Sequence, residues 1–355
     1  MLTHQRSSNL RLFALAFALV AGLTIALGVM LSAAQAAPVG TLKQFPVPTD
    51  NSQPRHITVG SDGNLWFTEG NEIFTPNPDP ETGGTFHRNI GRITPAGNIT
   101  EFRIESGIEP DQCFCSLNDI VQGPGGILYF TTNNPGLGRI TTEGEVLPFV
   151  APDNSLANGD GIAARGNNVW YADFNNDSIW RYNVTSGQFK EFPLTPGATP
   201  VDVAVASDGF VWFTERGAGA IGRLNPQSGA FTETPVPGGD AALLSQIAIA
   251  PDGSVWFTER LGHAVGRLVP ATNQVTEFPT LTPDAGPEGI AAAPNGDLWF
   301  TQVNADNIAR ITLSGTITEG KAVKNSEPFG ITVGPGGNPW YTMPPANKIA
   351  SLQLR

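Results

Sequence analysis

Hydrophobic and polar positions alternate along most of the chain in short runs, and seven of these runs carry a Trp or Tyr followed by an aromatic residue. They are Leu65-Trp66-Phe67, Leu128-Tyr129-Phe130, Val169-Trp170-Tyr171, Val211-Trp212-Phe213, Val255-Trp256-Phe257, Leu298-Trp299-Phe300 and Pro339-Trp340-Tyr341. After a first interval of 63 residues the spacings are 41, 42, 44, 43 and 41. Each unit repeats one grammar. An apolar strand such as Gly289-Ile290-Ala291-Ala292-Ala293 leads into a turn with Asn295-Gly296 or Asp252-Gly253, which supply the positive φ that tight hairpins need. The Trp strand follows, then a strand with Gly-Arg-Ile or a variant (Arg92, Arg139, Arg181, Arg223, Arg267, Arg310), then one like Val275-Thr276-Glu277-Phe278-Pro279. Four short strands at this period predict the blade of a propeller.

The last unit stops at Arg355 after three strands, and Thr41-Leu42-Lys43-Gln44-Phe45-Pro46-Val47-Pro48 has the pattern of the missing fourth. The chain is therefore expected to be an all-β, seven-bladed β-propeller of four-stranded antiparallel blades. The N-terminal strand closes the ring in the last blade and removes two free edges. One propeller domain, 37–355, is expected to follow an export signal, 1–36.

Composition agrees with turns rather than helices: 41 Gly and 30 Pro make up one residue in five. His4, Arg6 and Arg11 precede an apolar stretch from Leu12 to Leu31, and Ala34-Gln35-Ala36 forms a small-x-small cleavage site. The alternative is a retained anchor, since the stretch is nearly long enough to span a bilayer. With 32 acidic and 20 basic residues the formal charge is −12, and no basic run is present. Nucleic acid and, once the signal is removed, membrane are excluded as partners, and a secreted or periplasmic monomer is expected. Cys113 and Cys115 form a Cys-Phe-Cys that is either a local loop staple or two idle thiols.

In such a blade the first strand lines the channel, and its start shares a face with the end of the second strand. Two repeat positions are therefore candidates for a site. The first, two residues before the Ile or Val of the first strand, holds Arg55, Asn118, Asp160, Val201, Ser245, Glu288 and Phe329. The second, three residues after the Trp, holds Glu69, Thr132, Asp173, Glu215, Glu259, Gln302 and Met343. Recurring acids such as Glu215 and Glu259 either pair with the recurring Arg or contact a ligand. Arg55, Asp160, Glu288 and the neighbouring Glu327 break the repeat and stand out as site or rim residues. Acids crowded at one mouth favour a cation or raise one another's pKa. Between Gly70 and Arg88 the first blade gains about twenty residues, including Phe74, Phe86 and His87, expected to project on the same face as a lid or an ornament.

The segments Ser61-Asp62-Gly63-Asn64-Leu65-Trp66-Phe67-Thr68-Glu69 and Pro251-Asp252-Gly253-Ser254-Val255-Trp256-Phe257-Thr258-Glu259, with Ile-Gly-Arg-Ile and Thr-Glu-Phe elements, resemble the virginiamycin B (streptogramin) lyases. The resemblance covers residues 40–355. It implies a seven-bladed propeller that opens a cyclic depsipeptide by elimination across its ester, using a base and a magnesium ion. The family pattern has a His at the start of the penultimate blade, Glu-x-His at the start of the last, and a Glu after that blade's Trp strand. Here those positions hold Glu288, then Glu327 with Phe329, then Met343. One of the four is kept.

Strand alternation sets His56 one residue past the channel position, pointing the other way, and His87 and His263 fall in loops. Three functions remain. One is a propeller that binds a small molecule, metal or cationic partner at an acidic central face, through Arg55, Glu69, Asp160, Asp173, Glu215, Glu259, Gln302 and Phe329. Another is a diverged lyase with Glu288 or Glu327 as base and magnesium as cofactor. The weakest is a lactone hydrolase, commonly built on six blades rather than seven.

Overall fold

The protein is described from a computed structural model, which covers residues 40–71, 73–76, 84–104, 116–133, 136–152 and 159–354. The expected export signal, 1–36, and the residues Cys113 and Cys115 lie outside these residues. No α-helix occurs among the described residues, and none is long and apolar enough to cross a membrane.

Seven antiparallel sheets follow one another in chain order. The fourth is typical: Pro200–Val205, Val211–Glu215, Ala220–Leu224 and Phe231–Pro235 pair consecutively. In the last blade Gly40–Pro46 pairs along its whole length with Lys348–Leu354, from Gly40 opposite Leu354 to Pro46 opposite Lys348. Phe45 stacks on Trp340 with ring centroids 5.6 Å apart. Ring closure by the N-terminal strand is thus as the sequence pattern implies. The first-blade insertion is a hairpin: Ile73–Pro76 pairs with the first residues of the long strand Gly84–Ile93, which places His87 on a strand opposite Ile73 rather than in a loop.

Cross-strand register explains the repeated motifs. Trp66, Trp170, Trp212 and Trp256 stand opposite Arg92, Arg181, Arg223 and Arg267, and each guanidinium lies over its indole at 5.4, 5.7, 5.2 and 5.6 Å. The following Phe faces a Gly, as in Phe213 opposite Gly222 and Phe257 opposite Gly266, where a Cβ would overlap the ring. Gly-Arg-Ile is thus a socket for Trp-Phe. The Trp and Phe side chains, all but sealed from water, fill the core between blades.

The strands lining the channel are not regular. In the first six blades the register slips near the start of the first strand, for example between Pro54 opposite Glu69 and Ile57 opposite Phe67. Two residues, Arg55 and His56, therefore face the single Thr68, as in a β-bulge. The threonine hydroxyl holds this bulge and ties it to the next blade. Thr68 Oγ1 accepts from His56 N–H at 3.1 Å and donates to the Asn118 carbonyl at 2.9 Å. Thr131, Thr214, Thr258, Thr301 and Thr342 repeat the bridge, the last reaching back to the Arg55 carbonyl. The third blade has Ala172 at this position.

Bulging turns a second set of residues into the channel, and only some of them fit. A Cβ on Gly161 would overlap Asp202 Oδ1 and stand 2.6 Å from its Cα. Gly161→Ala is expected to cost about 1–3 kcal/mol by overpacking, measured as a lower urea midpoint at unchanged slope.

Candidate functional site

The bulges bring two rings of side chains to one end of the channel. The outer ring contains the predicted Arg55, Asp160, Glu288 and Phe329, with Asn118, Val201 and Ser245. The inner ring, which alternation hides, contains His56, Asp119, Asp202 and Gln246, with Gly161, Gly289 and Gly330. His56 does not point away from the channel: the extra residue of the bulge resets the alternation.

The inner ring is a closed polar network. Asp119 accepts the Ile120 and Ile162 N–H groups at 2.7 and 3.3 Å, and Asp202 accepts those of Val203 and Ile247 at 2.8 and 3.0 Å. Each Asp therefore joins its own blade to the next. Gln246 Oε1 accepts from Ile290 N–H at 3.2 Å, which leaves its amide nitrogen to face His56 Nδ1 at 2.9 Å. This makes Nδ1 an acceptor and puts the imidazole proton on Nε2. Burial, helped by the Arg55 charge, lowers the His56 pKa to about 4 despite Asp160 and Glu288 nearby. Asp119 Oδ1 is 3.3 Å from His56 Nδ1, and burial raises the Asp119 pKa to about 7, reinforced by Asp160 and opposed by the two backbone donors. Asp202 is pushed well above the usual carboxylate range by burial and by Asp119.

In the outer ring Glu288 is buried, with Ser245 Oγ donating at 2.5 Å to one oxygen and Arg260 paired to the other at 3.1 Å. Phe329 meets the His56 ring edge-on at 5.2 Å and lies under the Arg55 guanidinium at 5.0 Å. Asp160 is raised by burial and lowered by His56, Arg216 and Arg55. The mouth is thus a mixed surface, with arginines facing its acids, rather than the purely acidic rim composition suggested.

The second set of predicted residues occupies the same end of the blades but faces outward, toward the third and fourth strands. Glu69 takes a hydrogen bond from Asn89 at 3.2 Å, and burial and Glu101 raise its pKa to about 8. Glu215 rises to about 8 by burial, with Glu233 and Asp177 adding, and Glu259 to about 7 by burial and Glu277. Asp173 holds the Asn176 amide at 2.9 Å, and burial raises it. Gln302 donates to Glu319 at 3.0 Å. Met343 packs with Trp299, Ile308 and Tyr341. The recurring Arg side chains lie on the Trp face of the sheet, so the acid–Arg pairing considered from the repeat does not form for Glu215 and Glu259. Glu327 is exposed at φ 39°, in a turn whose N–H groups at Asn325, Ser326 and Glu327 all reach the Asp306 carboxylate.

A magnesium ion would need several free oxygen donors. Those of Asp119 and Asp202 hold backbone N–H groups, Glu288 accepts from Ser245 and faces the Arg260 cation, and Phe329 and Met343 offer none. Among the described residues no three His, Cys, Asp or Glu side chains converge on one point. The residues present do not fit a resident ion.

Comparison with known proteins agrees with this architecture. No curated protein sequence matches the chain. Among solved structures, a streptogramin B lyase is 28% identical over 89% of this chain and 98% of its own, with a TM-score of 0.75. A catalytically inactive His-to-Ala variant of virginiamycin B lyase from Staphylococcus aureus, solved with quinupristin, is 29% identical over 89% and 100%, with a TM-score of 0.74. The extracellular domain of a one-component system from B. thetaiotaomicron, 13% identical over 88% of this chain and 40% of its own, shares the fold at a TM-score of 0.66. The model of the virginiamycin B lyase family matches residues 32–241 and 162–355. Its two overlapping matches run through every blade, and the chain belongs to the virginiamycin B lyase family.

Proposed function

We propose that this propeller binds a small molecule at the channel mouth and does not linearise streptogramins. The observation that carries the reading is the state of Glu288. It stands where the resemblance places the first His, it is buried, Ser245 Oγ donates to one of its oxygens, and the Arg260 guanidinium lies 3.1 Å from the other. An imidazole there would be a neutral base, whereas this carboxylate is one half of an ion pair with Arg260. Phe329 and Met343, at two further positions of the pattern, have no proton-transfer chemistry, and Glu327 alone does not make a base–acid pair. What the mouth retains is an aromatic platform beside opposed charges, groups that a binding site uses. The export signal expected over 1–36 supports a location outside the cytoplasm.

The test is incubation with quinupristin and magnesium at stoichiometric protein, followed by chromatography and fragment-ion mass spectrometry, because elimination within a ring leaves the mass unchanged. Unconverted quinupristin is expected. A ring-opened product that disappears in Glu327→Gln would return the chain to the lyases.

A further inference from the structure

Arg55 and Asp160 are two charged groups of the mouth whose charged atoms have no polar partner among the described residues. The Arg55 stem lies against Gly70, where a Cβ would stand 2.7 Å from its Cδ, and its guanidinium rests on Phe329. This position is built rather than accidental, yet the guanidinium makes no hydrogen bond or ion pair with a described residue. Asp160 is anchored through its carbonyl, which accepts from Thr131 Oγ1 at 2.5 Å, while its carboxylate likewise has no such partner among them. The two charges influence each other, but no ion pair within 4.0 Å joins them. Two opposite charges, both half-buried and held apart, are costly unless a ligand completes them.

We infer that the mouth takes a small amino acid or its close analogue with a flat apolar side chain. Arg55 receives the carboxylate in its planar fork, Asp160 the ammonium, and Phe329 the side chain. Asp160 and Glu288 act on each other at this mouth, so a dianion such as phosphate is disfavoured there relative to a carboxylate. Glu288 itself accepts from Ser245 and is paired with Arg260. The inference rests on the mouth being a ligand site, as proposed above, but its readout is binding and is independent of whether quinupristin is opened.

The probe is L-phenylalanine, with 3-phenylpropionate (no ammonium) and phenethylamine (no carboxylate) as controls, followed by calorimetry and by the shift in melting temperature. Phenylalanine is expected to bind at least tenfold more tightly than either control. Arg55→Gln should abolish its advantage over phenethylamine, and Asp160→Asn its advantage over 3-phenylpropionate, with neither variant melting below the unliganded wild type. No response to phenylalanine, or equal affinity in wild type and Arg55→Gln, would overturn the inference. Preference for phenethylamine would do the same by showing a cation site.

Discussion

Raising the pH from 5 to 9 is expected to lower the melting temperature by on the order of 10 °C. Glu69 and Glu215 have pKa values of about 8 in the folded chain and Glu259 about 7, all raised first by burial. Unfolded, they titrate near the ordinary carboxylate value. Between these limits the native state keeps protons that the unfolded chain releases, so stability falls as pH rises. Each group contributes on the order of 3 kcal/mol across this window. Asp119, Asp160, Asp173 and Asp202 are raised as well and act in the same direction. His56, lowered to about 4, opposes them, because stability is lost as pH falls from its unfolded value toward 4. Asp252 and Asp306, both lowered, add a loss only at still more acid pH. The sixth blade shows what the protons do: Gln302 stands in the place of Glu and donates to Glu319 as a protonated carboxyl would. The partner acids are already capped by donors, Glu101 by Thr49 and Glu233 by Thr195, so the proton belongs on the second-strand residue. Glu215→Gln with Glu259→Gln should flatten the profile and raise the melting temperature at pH 9. A flat or rising wild-type profile would defeat the assignment.

Deleting residues 40–46 is expected to have a comparable or larger effect. The deletion removes a seven-residue ladder, the Phe45 stack on Trp340 and the Leu42 packing on the last blade, and leaves Lys348–Leu354 as an open edge. Phe45 also lies against Gly97 of the first blade, so one side chain joins both sides of the closure. The loss of one large aromatic from a core alone costs about 3–5 kcal/mol. The shortened chain should melt at least 10 °C lower, associate through its exposed strand, and recover when a peptide of residues 40–48 is added in trans. Unchanged melting without the peptide would show that the ring does not depend on this strand.

The blades and their closure are legible in the sequence because they are periodic: a Trp every forty-odd residues and a fourth-strand pattern displaced to the N-terminus. The inner ring is not, because a bulge adds one residue without changing the apolar pattern on either side. Arg55 is found by counting, whereas His56 is assigned to the wrong face by the same count. The signal that bears on it is Thr68 and its repeats, buried hydroxyls that need a donor and an acceptor, and a bulge with a neighbouring carbonyl supplies both. The partners of Glu215 and Glu259 are hidden for a different reason. Both the recurring Arg and the recurring fourth-strand Glu are visible, but only the pairing of Trp212 with Arg223 and of Glu215 with Ala220 shows which of them shares a face with the acid.

The ring of threonine bridges has one interruption, at Ala172. A closed ring of similar joints opens first at its weakest one, and here that joint lies between the third and fourth blades, half a circumference from the seam where the chain ends meet. Breathing of the molecule is therefore polarised. The third blade's inner edge should exchange its amide protons ahead of the other six, making this covalently continuous joint, rather than the noncovalent closure, the hinge on which the disc flexes.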